Sequence, residues 1–449
     1  MSNNIQISEF YNTEYINSAL YQAFRTIGNY VDGLKPGGRK AVYVCEKFNI
    51  KDRMKVSSIA SKCVESAAYL HGNVSVEGTI TGLAQTFIGS NSINLLFPDG
   101  NFGTRFEPTP SASRYIYTYK SQMFDKLFRK EDKPIVIKQM FEGEEIEPKY
   151  YIPIVPLILV NGNSGIGNGF AQNILPRSKQ QIIKELKNYL EASLKKKEYK
   201  FKALNPYYKG FLGDIKLDEI TGSWKIYGKF EKVNSTNIKI TEVPIGYDLQ
   251  SYLKVLNKLV ENNIIKDYHD KSEDDKFLYI VNVTRDFSDR EDERIYEDLK
   301  LVKRECENFT CVDENNAIRE FKSETEIFQA YIKLRLAYYS KRKEYLVEET
   351  KRQLLILYSK WLFIKGVIDE SIKVSNKPKE NVVKQLEKIE KISKVDDSYD
   401  YLLNMSIYTL TKEKADDLRN KIDVAKEYLK KLVETNIETM WLQDLKEIE

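Results

Sequence analysis

A helical pattern running from about Ser323 to Val374 restricts the fold more than any other feature of this sequence. Within it Leu354, Leu357, Trp361, Ile364 and Ile368 recur at alternating spacings of three and four, the period with which one helix presents an apolar stripe to another. A second periodic segment carries Leu418, Ile422, Ala425, Leu429 and Leu432. Between them lie a charged helical stretch, KPKENVVKQLEKIEKI, and then DDSYDYLLNMSIYTLT. Two long helices separated by a small globule predict an antiparallel coiled coil capped by a knob. At 1.5 Å per residue, a helix of about 50 residues reaches roughly 75 Å. That is a rod, so the core of the protein must lie elsewhere.

A chain of 449 residues exceeds what one core accommodates, and about three domains are expected. Residues 1–28 read as an arm. Over 29–156 short helical patterns alternate with loops, and helices over Lys55–Leu70 and Ser75–Phe87 flank the break LHGNVS, as in a helix-turn-helix. Gly78 and Gly82 interrupt the second helix at a cost of about 1 kcal/mol each, which asks for a packing or close-approach reason. The apolar run YYIPIVPLILVNG, punctuated by prolines, predicts a buried strand, followed by the glycine-rich loop NGNSGIGNGF. Ser178 and Gln181 form a capping-box pattern at the start of the next helix. Residues 157–320 form a second region, whose later part mixes strands (WKIYGKF, NIKITEV, KFLYIVNV) with a helix (LQSYLKVLNKLVE), and 321–449 carries the rod. The whole is an α+β multidomain chain.

The net charge of +4 conceals a concentration of charge. Between Asn29 and Lys62 eight basic residues (Lys35, Arg39, Lys40, Lys47, Lys51, Arg53, Lys55, Lys62) face three acidic ones, which points to a polyanionic partner such as nucleic acid. The four cysteines form no CxxC pair and only two histidines accompany them, so neither a zinc site nor a disulfide framework is expected. No basic-then-apolar leader and no apolar run of about 18 residues occurs. A soluble protein of a reducing compartment, with no membrane partner, is the expectation.

Any one of 30 tyrosines is a weak catalytic candidate. Tyr115 is distinguished by FGTRFEPTPSASRYIYTYK, a Pro/Ser/Thr-rich loop that sets Arg114 directly beside it. A phenol of pKa about 10 needs activation at neutral pH, and a neighbouring guanidinium stabilises both a phenolate and a phosphate under attack. The glycine loop runs Gly-x-x-Gly-x-Gly-x-Gly and so lacks the G-x-G-x-x-G spacing of a dinucleotide fingerprint; no GxxxxGK[ST] loop is present.

Taken together, LLFPDGNFGTR followed by RYIYT, VDGLKPGGRKAVYVCEKFN, YLHGNVSVEGTITGLAQTFIGS, PIVPLILVNGNSGIGNGFAQNILP and the C-terminal LLNMSIYTLTKEKADDL resemble, in order, the breakage-reunion segments of type IIA DNA topoisomerases, the family of gyrase A and eukaryotic topoisomerase II. The match is closest to the medium subunits of tailed phages, and the chain begins and ends where such a subunit would. The resemblance implies a winged-helix cleavage domain over 29–156, an α/β tower over 157–320 and a coiled coil with a globular C-gate over 321–449. It also implies a homodimer acting on double-stranded DNA in the cytoplasm. Tyr115 would form a 5′-phosphotyrosine link, with Arg114 stabilising the transition state and His71 contacting DNA near the scissile phosphate. Lys35, Arg39, Lys40 and Lys55 would grip phosphates, Asn73 and Ser75 would face DNA, and Ile174 would wedge between base pairs. No Glu plus Asp-x-Asp cluster is present, so the Mg2+ and the ATP that such an enzyme uses would be held by separate ATPase and topoisomerase-primase subunits. The alternative is a non-catalytic DNA-binding dimeric scaffold, which shares the basic stretch and the rod but does not need Arg114-Tyr115.

Overall fold

The structure, a computed structural model, describes residues 6–375 and 377–449. The chain divides into two compact units. One contains Val136–Arg335, the chain before it up to Lys130, and Asp444–Glu449; the other contains Glu131–Ile135 and Leu336–Gln443.

In the first unit, α1 (Ile16–Thr26) leads to α2 (Pro36–Lys47), β1 (Met54–Lys55), α3 (Val56–Ser66), α4 (Asn73–Ala84), β2 (Leu96–Asp99) and β3 (Tyr117–Lys120). Proline at the first position of α2 supplies a helical φ and lacks only an N–H that would have had no partner there. Helices α2, α3 and α4 pack on one another, burying Val42, Ile59, Ala60, Cys63, Val76 and Ile80. Strand β3 lies between β1 and β2, antiparallel to both, giving a three-helix, three-strand winged helix. Helix α3 ends earlier than expected. Ala68 takes a left-handed φ of 48° and the Tyr69 N–H donates back to the Cys63 carbonyl, so Ala67–Gly72 is an irregular connection.

The expected strand at YYIPIVPLILVNG is instead a short helix, α5 (Leu157–Asn161). Ile154, Val155, Ile158, Leu159 and Val160 are all fully buried. Burial on every side erases the periodicity that tells strand from helix, and Pro156 at the N-cap favours entry into a helix over a ladder. The glycine loop that follows is a hairpin, β4 (Asn163–Ile166) paired antiparallel with β5 (Ala171–Ile174), not the βαβ turn of a dinucleotide site. A Cβ on Gly165 would lie 2.0 Å from the Thr26 carbonyl oxygen, so α1 can rest on this hairpin only because that residue is glycine. Ser178 then caps α6 (Lys179–Leu194), accepting from the Gln181 N–H at 3.4 Å.

The shoulder that follows contains β6 (Ile215–Asp218), β7 (Ser223–Tyr227), β8 (Lys229–Asn234), β9 (Asn237–Glu242), α7 (Leu249–Glu261), β10 (Asp267–Asp270), β11 (Tyr279–Asn282) and β12 (Val302–Glu305). Strands order as β8-β9-β11-β10 and β12-β7-β6, with every pairing antiparallel. The two-residue period of β9 buries Ile238 and Ile240 against Tyr252, Leu256 and Leu259, which α7 presents at helical spacing. A reciprocal capping box between Asp248 and Ser251 starts α7.

The predicted rod is α8 (Glu324–Ile368), at 45 residues about 68 Å long, together with α10 (Lys412–Glu434); α9 (Lys379–Leu386) lies between them in sequence. Within the second unit α8 and α10 run antiparallel. Lys343 Nζ donates to the Val433 and Thr435 carbonyls, each at 2.8 Å, and Lys426 Nζ sits 4.9 Å from the Tyr358 ring centre. The knob between them has its own core of Phe363, Ile372, Leu386, Ile392, Tyr399 and Leu402. No helix among the described residues is long and apolar enough to cross a membrane.

Candidate nucleic-acid interface

Tyr115 stands on the loop that enters β3, 66% exposed. The loop is fixed from below by the first turn of α3. The Val56 N–H donates to the Ile116 carbonyl at 3.1 Å, and the Ser57 N–H donates to that of Ser113 at 3.3 Å. Those N–H groups are among the four that a helix start leaves without internal partners, so the helix end itself anchors the Tyr115 loop. The Tyr115 N–H closes a turn onto the Ala112 carbonyl at 2.9 Å, and the Arg114 guanidinium lies 4.7 Å from the Tyr115 ring centre. Lys55, exposed, pairs in register with Tyr117 on β3, two residues from Tyr115. The phenol, the guanidinium and an ammonium group thus share one solvent-facing loop and strand edge.

A cavity of about 610 Å³ opens beside α2 and α4, and Tyr21, Arg25, Lys35, Lys40, His71 and Ser75 are among the residues lining it. His71 sits in the connection before α4; burial, then the charges of Arg25 and Lys40, hold its pKa below the usual histidine value. Burial also lowers that of Lys35, whose ammonium donates to the Ser164 carbonyl at 2.7 Å and so ties α2 to the hairpin. Asn73 and Ser75 are exposed on the first turn of α4. A Cβ added to Gly78 or Gly82 meets nothing within 4 Å. Among the described residues nothing packs closely on those glycines, and α4 presents an open face there.

Three site expectations need correcting. Arg39 is not a free phosphate grip. It is 8% exposed and fastened to Asp32, with Nε 2.7 Å from Oδ2 and Nη2 3.2 Å from Oδ1. Lys40 is also committed, to Glu147 at 2.8 Å and to the Ala67 carbonyl. Ile174 cannot wedge between bases, because it is 2% exposed on the inner end of the hairpin. Ile166, at the other end of β4 next to the turn, is 85% exposed. Its signal in the sequence was its place as the one large apolar residue between Gly165 and Gly167. Arg25 also escaped notice, because it lies in the segment read as an arm. Among the described residues no three His, Cys, Asp or Glu side chains converge where a metal ion could be held.

A winged helix carrying a surface tyrosine beside an arginine, joined in sequence to a β-rich shoulder and a paired-helix rod, is the architecture of the type II topoisomerase class. The family model for the A-type subunit of DNA gyrase/topoisomerase IV matches residues 25–446. The chain is 32% identical over 456 residues to the mitochondrial DNA topoisomerase 2 of Dictyostelium discoideum, covering 99% of this chain and 35% of that protein. It is 32% identical over 452 residues to the DNA topoisomerase 2 of Invertebrate iridescent virus 6, covering 99% and 39%. The crystal structure of the Plasmodium falciparum topoisomerase II DNA-binding, cleavage and re-ligation domain matches with a TM-score of 0.88 at 32% identity, over 98% of this chain and 63% of that one. The chain belongs to this DNA gyrase/topoisomerase IV family. It spans 35% of the first of these curated relatives and 39% of the viral one.

Proposed function

We propose that this chain is the DNA-cleavage and religation part of an ATP-dependent type II topoisomerase, with Tyr115 as nucleophile. The observation that carries this reading is Tyr115 itself. In a family of DNA-breaking enzymes, a large aromatic side chain is held out in solvent on a loop anchored to a helix start, against a guanidinium. Tyr115 Oη attacks a backbone phosphorus; the Oη–P bond forms as the bond from phosphorus to the 3′ oxygen breaks. The phenolic proton departs to a base or water, and the freed 3′ oxygen leaves as a hydroxyl after protonation. Arg114 offsets charge on the pentacovalent phosphorus. The 5′-phosphotyrosine link conserves the bond energy, so the 3′ hydroxyl can reverse the step.

Around that step, the open face of α4, with Asn73 and Ser75 at its start and Gly78 further along, suits a helix lying close against a duplex. Lys35 and Lys55 attract phosphates, and His71 contacts DNA near the cleaved bond. Ile166 supplies the apolar wedge, whose unstacking cost of a few kcal/mol is offset by the contacts a bent duplex makes. Two copies, each cutting one strand, let a second duplex pass. Mg2+ is held by a separate topoisomerase-primase chain and ATP by an ATPase chain, in the cytoplasm. The Mg2+ supplies charge neutralisation at the phosphate.

Mixed dimers test the two-tyrosine arrangement. Wild-type dimers with their partner subunits should produce linear plasmid, Tyr115→Phe dimers none, and wild-type/Tyr115→Phe heterodimers nicked circles only. Linear product from the heterodimer would overturn the one-tyrosine-per-strand reading.

A further inference from the structure

Tyr21 and His71 are fifty residues apart, yet the Tyr21 hydroxyl lies 2.9 Å from His71 Nε2. Tyr21 is 57% exposed, so apolar burial does not explain its position. Its ring centre is 6.2 Å from that of His71, and Tyr69 meets the imidazole edge-on at 5.5 Å. Arg25 from α1 and Lys40 from α2 are the cations acting on the ring, and both line the same cavity. Burial and the two cations disfavour the charged ring, and a neutral imidazole has one N–H to offer; which nitrogen carries it is decided by the partner of the other.

We propose that Tyr21 is a positioning residue for His71: its hydroxyl donates to Nε2, which fixes the neutral imidazole as the Nδ1-protonated tautomer and leaves Nδ1–H as the donor for a DNA phosphate. This rests on the reading of His71 as a DNA-contacting group. The direction of the bond follows from acidity. The phenol is the better acid of the pair and the unprotonated imidazole nitrogen the better acceptor. Nothing in the order of residues reveals the pair; the hydrogen bond forms because α1 rests on the glycine hairpin and brings Tyr21 over the connection before α4.

The test uses the full chain with ring-15N histidine. Only two histidines are present, and His269→Gln on an exposed strand leaves His71 as the single signal set. In the neutral range Nε2 should resonate as the unprotonated nitrogen and Nδ1 as the protonated one. Tyr21→Phe should give a tautomer mixture and move the His71 titration to higher pH, since a bond favouring the neutral form is gone. With partner subunits present, Tyr21→Phe should slow DNA cleavage about two- to tenfold near neutrality, the factor one such hydrogen bond controls. That gap should close on acidification, where both ring nitrogens carry protons. Unchanged ring signals and titration in Tyr21→Phe would overturn the proposal, as would a cleavage defect constant across pH. If His71→Ala cleaved like the wild type, the premise would fall and the proposal with it, even with the NMR pattern intact.

Discussion

Arg39 and Asp32 form a two-point ion pair inside the first unit, at 2.7 and 3.2 Å, with the Asp32 side chain wholly buried. Asp32 also accepts the Leu34 N–H at 2.9 Å and the Tyr151 N–H at 3.0 Å, so one carboxylate gathers the turn before α2 and the chain before α5. Removing one member leaves the other charge buried and unpaired. Arg39→Met should therefore destabilise the fold by about 3–5 kcal/mol. The exposed Lys55→Ala should stay within about 0.5 kcal/mol of wild type and lower the salt slope of DNA binding by about 1. Thermal unfolding and DNA titration at several salt concentrations separate the two.

The two isoleucines of the hairpin should behave oppositely. Ile174→Ala empties a buried position and should cost about 2–5 kcal/mol in denaturant unfolding. Ile166→Ala removes an 85% exposed side chain and should leave stability unchanged while reducing DNA bending measured by fluorescence transfer between duplex ends. Equal bending by both variants would remove Ile166 from the interface.

Glycines give a third contrast. Gly33 has a left-handed φ of 68°, and a Cβ there would lie 2.6 Å from the Ile158 backbone nitrogen, so Gly33→Ala should destabilise by about 1–3 kcal/mol. Gly78→Ala fills open space within a helix and should stabilise the free protein by about 0.5–1 kcal/mol. Gly78→Leu should fold normally yet weaken DNA binding, because its side chain stands on the face proposed to meet the duplex. Undiminished binding by Gly78→Leu would turn that face away from DNA.

The sequence made the rod and the α+β character legible because both depend on local periodicity: Leu354 to Ile368 on one helix, Ile238 and Ile240 on one strand. The Arg114-Tyr115 loop was legible through composition and resemblance. The same means failed at Leu157–Asn161, where burial on all sides removes periodicity. They also failed for charges, since a basic run does not show that Arg39 belongs to Asp32 or Lys40 to Glu147, more than a hundred residues away. Ile166 and Ile174 are isoleucines of the same hairpin, and only its fold puts one in solvent and the other in the core.

The proposed role of Tyr115 is tested most directly by trapping the protein, with its partner subunits, on a duplex carrying a nick near the cleavage point. The covalent product is then digested and the nucleotide-bearing peptide sequenced by mass spectrometry. A single modified peptide with a 5′-linked nucleotide on Tyr115 is expected, and no covalent product from Tyr115→Phe. A nucleotide on any other residue, or an undiminished adduct from Tyr115→Phe, would contradict it.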